Sequence, residues 1–111
     1  MKALITPFRG QGSVTAPSSK SELHRILIAA ALSDKATDIS CRALNDDIAA
    51  TIKCLRAMGA IVTETGSGLS VEPVRNCRNH EAVSLDCGES GSTLRFLLPV
   101  ASALGGASFT G

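Results

Sequence analysis

Tryptophan and tyrosine are absent, and Phe8, Phe96 and Phe109 are the only aromatic residues. Single-stranded nucleic acid is usually held by bases stacked on aromatic side chains, so that partner class is excluded. An excess of one charge is lacking too. Eleven basic and ten acidic residues leave a net charge of +1, scattered without runs, so no general polyanion surface is implied. No long apolar run exists: the stretch from Leu23 to Leu32 is interrupted by Ser33 and Asp34, too soon to cross a bilayer, and no membrane partner is expected. Cys41, Cys54, Cys77 and Cys87 contain no Cys-x-x-Cys pair and no nearby His at ligand spacing, so no zinc site is expected. The start Met1-Lys2-Ala3-Leu4 has no secretory pattern, and reduced thiols in a cytoplasmic protein are the expectation.

What remains is an aliphatic chain of 111 residues, enough for one modest domain with a usable core. Ala3 to Thr6 and Ser13 to Ala16 read as short strands around Arg9-Gly10-Gln11-Gly12, bounded by Pro7 and Pro17. A helix should follow Pro17. Leu23, Ile26, Leu27, Ala30 and Ala31 fall at helical spacing, and Ile28 and Leu32 widen the apolar surface, which predicts a largely buried helix. Thr37 to Cys41 reads as a strand. Asn45-Asp46-Asp47 supplies a cap and carboxylates for a second helix, whose stripe is Ile48, Thr51, Ile52, Leu55 and Met58, ended by Gly59. Ala60 to Thr65 and Leu69 to Val71 predict a hairpin across Gly66-Ser67-Gly68. A polar loop from Arg75 to Glu81 leads to a strand at Val83 to Asp86, then a helix over Ser90 to Leu104. Pro99 should kink or divide that helix. A final strand is expected at Ala107 to Thr110, giving the order βαβαββ followed by βαβ.

Two constellations carry chemistry. In Pro17-Ser18-Ser19-Lys20-Ser21-Glu22-Leu23-His24-Arg25, a helix N-terminus offers unpaired N–H groups, Lys20 a mobile charge, Ser21 a hydroxyl and Arg25 a planar fork on the same helical face. That set suits a phosphate dianion. A plain N-cap at Ser21 with two solvated charges fits the same residues, although Arg25 inside an apolar helix calls for a partner. The second is Asp86-Cys87-Gly88-Glu89-Ser90-Gly91-Ser92-Thr93-Leu94-Arg95, between a strand and a helix. Gly91 allows close approach to the backbone, Ser92 and Thr93 offer hydroxyls, and Arg95 could bind an anion or brace the loop. It is neither a Walker loop nor Gly-x-Gly-x-x-Gly, and a capping loop with a structural Arg fits equally.

Taken in order, Pro-x-Ser-Lys-Ser-x-x-x-Arg, Asn-Asp-Asp-Ile and Asp-Cys-Gly-x-Ser-Gly-Ser-x-x-Arg-Phe resemble the N-terminal part of the 5-enolpyruvylshikimate-3-phosphate synthases, across essentially the whole chain. The UDP-N-acetylglucosamine enolpyruvyl transferases resemble that family in fold but carry Lys-Asn where Lys20-Ser21 stand. The resemblance implies an α+β fold of the alpha-beta prism type, with one βαβαββ unit and the start of a second. It implies transfer of the enolpyruvyl group of phosphoenolpyruvate to the 5-hydroxyl of shikimate 3-phosphate, in aromatic amino acid biosynthesis, with no metal or organic cofactor. By motif, Lys20 would contact both substrates, Ser21 and Arg25 would hold shikimate 3-phosphate, and the Gly91 backbone would line the phosphoenolpyruvate site, where glyphosate competes. Asp47 matches an acidic residue frequent in the family and reads here as a cap. Glu89 departs from the family's usual Asn, and Ser92 from its more frequent Thr. Unless it points away or is paired, Glu89 should weaken anion binding.

The resemblance also implies that the family's general acid and base lie beyond Gly111, so none of the catalytic residues is expected in this stretch and the polypeptide alone should be silent. Residues 1–16 would be opening strands of a domain completed by a C-terminal half. Residues 17–111 would form part of the shikimate-phosphate-binding domain. Unpaired strands at 3–16 could lead to self-association. Two other readings stand beside this one: a non-catalytic phosphate-binding or interaction module, and a piece of a UDP-N-acetylglucosamine enolpyruvyl transferase.

Overall fold

The computed structural model describes residues 1–75 and 83–111. Each of its three helices begins where a short polar side chain accepts an otherwise unpaired N–H. Ser19 takes the Glu22 N–H at the start of α1 (Lys20–Ala31), Asn45 takes the Ile48 N–H for α2 (Asp46–Ala57), and Ser90 takes the Thr93 N–H for α3 (Gly91–Leu104). The cap of α1 is therefore Ser19 and not Ser21, and Asp47 lies inside the first turn of α2 and is not its cap. At its other end α2 closes in a Schellman motif. The Gly59 N–H reaches the Arg56 carbonyl and the Ala60 N–H the Leu55 carbonyl, with Gly59 at φ +102° where a side chain would be strained.

Five strands complete the described fold: β1 (Thr37–Ser40), β2 (Ile61–Thr65), β3 (Gly68–Glu72), β4 (Val83–Asp86) and β5 (Ala107–Thr110). The expected hairpin is present as antiparallel β2 and β3, with Thr65 opposite Gly68. β1 pairs on the other side of β3, giving the order β1-β3-β2. β4 and β5 pair in parallel, Val83 opposite Ala107, with α3 as the crossover between them. The mixed helix and strand content matches the α+β class read from the sequence.

One helix organises the interior. α2 packs against α1, α3, β2 and β4, and its Ile48, Leu55 and Cys54 are sealed from solvent together with Leu27 of α1, Leu69 and Val71 of β3, Leu85 of β4 and Leu97 of α3. Burying each large aliphatic side chain of this set contributes about 1.5–3 kcal/mol. Two links, one exposed and one part-buried, reinforce the scaffold around α2. Lys53 is ion-paired with Asp86 at 2.6 Å, and the Arg56 guanidinium donates to the Val62 carbonyl.

Three expectations need correction. Residues 3–6 and 13–16 form no strand: a strand needs a neighbour to satisfy its backbone, and this arm pairs with none of the five strands, which leaves Leu4, Ile5, Phe8 and Val14 exposed. α1 is buried along one face only, through Leu23, His24, Leu27, Ala30 and Ala31. Ile26 and Leu32 face outward because one helix cannot be covered all round by a single sheet and one neighbouring helix. α3 is not divided at Pro99 but runs as one helix across it, and the exposed position of Pro99 lets water meet the carbonyl freed four residues earlier. Most of the polar loop expected over Arg75 to Glu81, with Cys77, lies outside the described residues.

Candidate functional site

Capping and packing bring the beginnings of α1, α2 and α3 into contact, and both sequence motifs lie there. Lys20 Nζ is bonded to Asp47 Oδ2 across 27 residues of sequence. Ser90 of the second motif is tied to the Asp47 backbone carbonyl through the Thr93 hydroxyl, which donates toward both. The Lys20 ammonium and then the Ser90 hydroxyl hold the Asp47 carboxyl below its ordinary value, against a small opposing effect of desolvation. Lys20, Asp47, Ser90 and its neighbour Gly91 thus form one cluster.

Below it lies a buried polar chain. Thr93, fully buried, donates toward Ser90 Oγ at 2.7 Å and the Asp47 backbone carbonyl at 3.2 Å. Its Oγ1 is 2.8 Å from Thr51 Oγ1, which is 2.8 Å from His24 Nδ1. His24 is also fully buried, against Phe96 with ring centroids 5.7 Å apart, and its Nε2 has no hydrogen-bond partner. Desolvation lowers the His24 pKa most, with Asp47 opposing and Lys20 assisting, so the ring is neutral at pH 7.

The remaining candidates divide. Ser21 is exposed in the first turn of α1. Arg25 is exposed as well, and its partner is not a carboxylate: the guanidinium carbon lies 5.8 Å from the centroid of Phe96. Gly91 opens α3 with nothing within 4 Å of where a side chain would project. It borders a cavity of about 330 Å³ lined also by Cys87, Glu89, Ser90, Leu94 and Phe109. The turn beneath is fixed by the Gly88 N–H on Asp86 Oδ1 at 3.0 Å and the Ser90 N–H on the Cys87 carbonyl at 3.0 Å, with Gly88 at φ +55°. Glu89 lines this cavity with no side-chain hydrogen bond or ion pair among the described residues. Arg95 is exposed and braces nothing among the described residues.

Sequence reasoning did not single out His24 and gave Asp47 only a capping role. One signal was available. His24 and Thr51 are polar residues on the apolar stripes of two neighbouring helices, and buried polar groups seek each other. Among the described residues no group of three or more His, Cys, Asp or Glu could hold a metal ion, and no helix is long and apolar enough to cross a membrane.

The arrangement provides positive charge, helix N-terminal N–H groups and an open glycine within one region, the requirements for binding a small multiply charged anion. Comparison with known proteins agrees with the motif order. A family model described as EPSP synthase (3-phosphoshikimate 1-carboxyvinyltransferase) matches residues 6–111. The chain is 41% identical over 108 residues to a 3-phosphoshikimate 1-carboxyvinyltransferase of Clostridium botulinum (strain Eklund 17B / Type B), covering 94% of this chain and 25% of that protein. It is 37% identical over 111 residues to the protein of the same name from Clostridioides difficile (strain 630), covering 92% and 25%. The chain spans about a quarter of the length of these relatives. With a family model matched over almost its whole length, the chain belongs to the EPSP synthase family.

Proposed function

We propose that this chain forms part of the substrate-binding cleft of a transferase that moves the enolpyruvyl group of phosphoenolpyruvate to the 5-hydroxyl of shikimate 3-phosphate with release of phosphate. The observation that carries the reading is the junction of the two motifs through Lys20, Asp47, Thr93 and Ser90. In this reading Lys20 faces both substrates, Ser21 and Arg25 hold shikimate 3-phosphate, and the Gly91 backbone lies against phosphoenolpyruvate. Arg25 reaches the ligand from its place beside Phe96, an exposed position that leaves its donors available. No metal or organic cofactor takes part.

The surroundings of the cluster limit its chemistry. Lys20 is committed to Asp47, and the His24 ring is sealed from solvent with its Nδ1 occupied by Thr51, so neither offers a free proton-transfer group at the surface. The 111-residue chain supplied with both substrates should bind without turning over. Phosphate release above the uncatalysed background would overturn that part of the reading. Residues 1–16, with Leu4, Ile5, Phe8 and Val14 uncovered, belong in this reading to a sheet that other chain must complete, while residues 17–111 form part of the shikimate-phosphate-binding domain. Alone, the arms should pair between copies, and sedimentation of a strictly monomeric species at high concentration would count against this. A cytoplasmic setting accords with the free thiols of Cys41, Cys54 and Cys87.

A further inference from the structure

We propose that His24, Thr51 and Thr93 form a one-way hydrogen-bond chain that ends on Ser90 and the Asp47 backbone and so positions Asp47, and through it Lys20, relative to the Gly91 turn. The direction follows from counting protons. The Asp47 backbone carbonyl can only accept, so the Thr93 hydroxyl proton is shared between it and Ser90 Oγ, which also accepts the Thr93 N–H. Thr51 must therefore donate to Thr93, and with its own proton spent must accept from His24. The His24 proton is on Nδ1, and Nε2 carries the bare lone pair, in accord with its having no partner. The opposite direction would turn the Thr93 lone pairs toward the Asp47 carbonyl oxygen, which repels them.

Thr93 is the central positioning residue. It is the one hydroxyl that holds both the Ser90 cap of α3 and the backbone of Asp47 in α2, so the helix carrying the partner of Lys20 cannot shift against the turn carrying Gly91 without breaking it. His24 extends the same tie into α1, which also bears Lys20. Each of the three helices that contribute to the cleft is thus held by a hydroxyl or ring nitrogen in one buried network.

This inference rests on the proposed ligand roles of Lys20 and Gly91 for its effect on binding, but not for its geometry, and the test separates the two. Ring-15N histidine in the wild-type chain, assigned with His80→Gln, should show His24 protonated at Nδ1. A proton on Nε2 overturns the chain of donors. The carboxyl titration of Asp47, followed by 13C NMR, should move up in Thr93→Val, which keeps the shape and removes the hydroxyl, and stay at the wild-type position in Thr93→Ser. Shikimate 3-phosphate affinity should fall about tenfold in Thr93→Val and recover in Thr93→Ser, the size expected for one buried polar contact. An Asp47 titration unmoved in folded Thr93→Val overturns the positioning role. If Thr93→Val does not fold, the wild-type tautomer decides. If no variant binds shikimate 3-phosphate while the tautomer and the Asp47 shift are as expected, the network is supported and the ligand assignment fails.

Discussion

Lys20 on α1 and Asp47 on α2 form an ion pair across 27 residues of sequence, and the Asp47 backbone is tied to Ser90 of the second motif through the Thr93 hydroxyl. The pair is partly exposed, so its value for stability is modest. Its positional consequence is larger, since it fixes the ammonium at the place where the three helices begin.

Acid should weaken the fold in two stages. Burial depresses the His24 pKa below 6.5, so the unfolded chain binds the extra proton first. Stability is fully present above 6.5 and is lost as pH falls toward the lower folded value. Asp47 and Asp86, depressed by their lysine partners first, add a second loss that begins below 3.8 and ends at their folded values. Thermal unfolding followed from pH 8 to pH 3 should show both declines, and Asp47→Asn should flatten the second.

The hairpin leaves no room at one glycine. A Cβ at Gly68 would lie 1.9 Å from the Ile39 carbonyl oxygen, where β3 passes β1. Gly68→Ala should therefore destabilise the chain by about 2–3 kcal/mol, measured by urea unfolding.

Gly91 presents the opposite case. Space beside it is empty within the chain, so Gly91→Ala should fold with unchanged or slightly raised thermal stability. It should nevertheless bind phosphoenolpyruvate several-fold more weakly, because the added methyl occupies the approach to the backbone.

Glu89 lines the same cavity without a side-chain partner among the described residues, the unfavourable arrangement for an anion site. Glu89→Gln should raise phosphoenolpyruvate affinity several-fold at low ionic strength, and the gain should shrink as salt screens the charge. Calorimetric titration at two salt concentrations reads both effects.

Much of this fold was legible in the sequence because its signals are local. The short segments read as strands at 37–41 and 83–86, the glycines at 66–68 and Gly59 after the Ile48-to-Met58 stripe predicted β1, β4, the hairpin and the end of α2. The misreadings arise where a non-local partner decides. Ala3 to Thr6 has strand composition but pairs with no other strand, and Ile26 has core composition but no neighbouring layer. Of the site, the charged and glycine residues could be named from their types. The link between Asp47 and Lys20 could not, because an acid in the first turn of a helix has a sufficient local reason to be there. Nor could the path through Thr51 and Thr93, which depends on how three helices meet.

The central claim is that the start of α1 holds shikimate 3-phosphate, and the most direct measurement is its calorimetric titration against the wild-type chain and Arg25→Ala. Measurable binding to the wild type with a loss of about tenfold to a hundredfold in Arg25→Ala is the predicted result, the range expected for a charge-assisted contact. Equal affinities in two folded proteins would remove Arg25 from the site, and no binding to the wild type would contradict the claim itself.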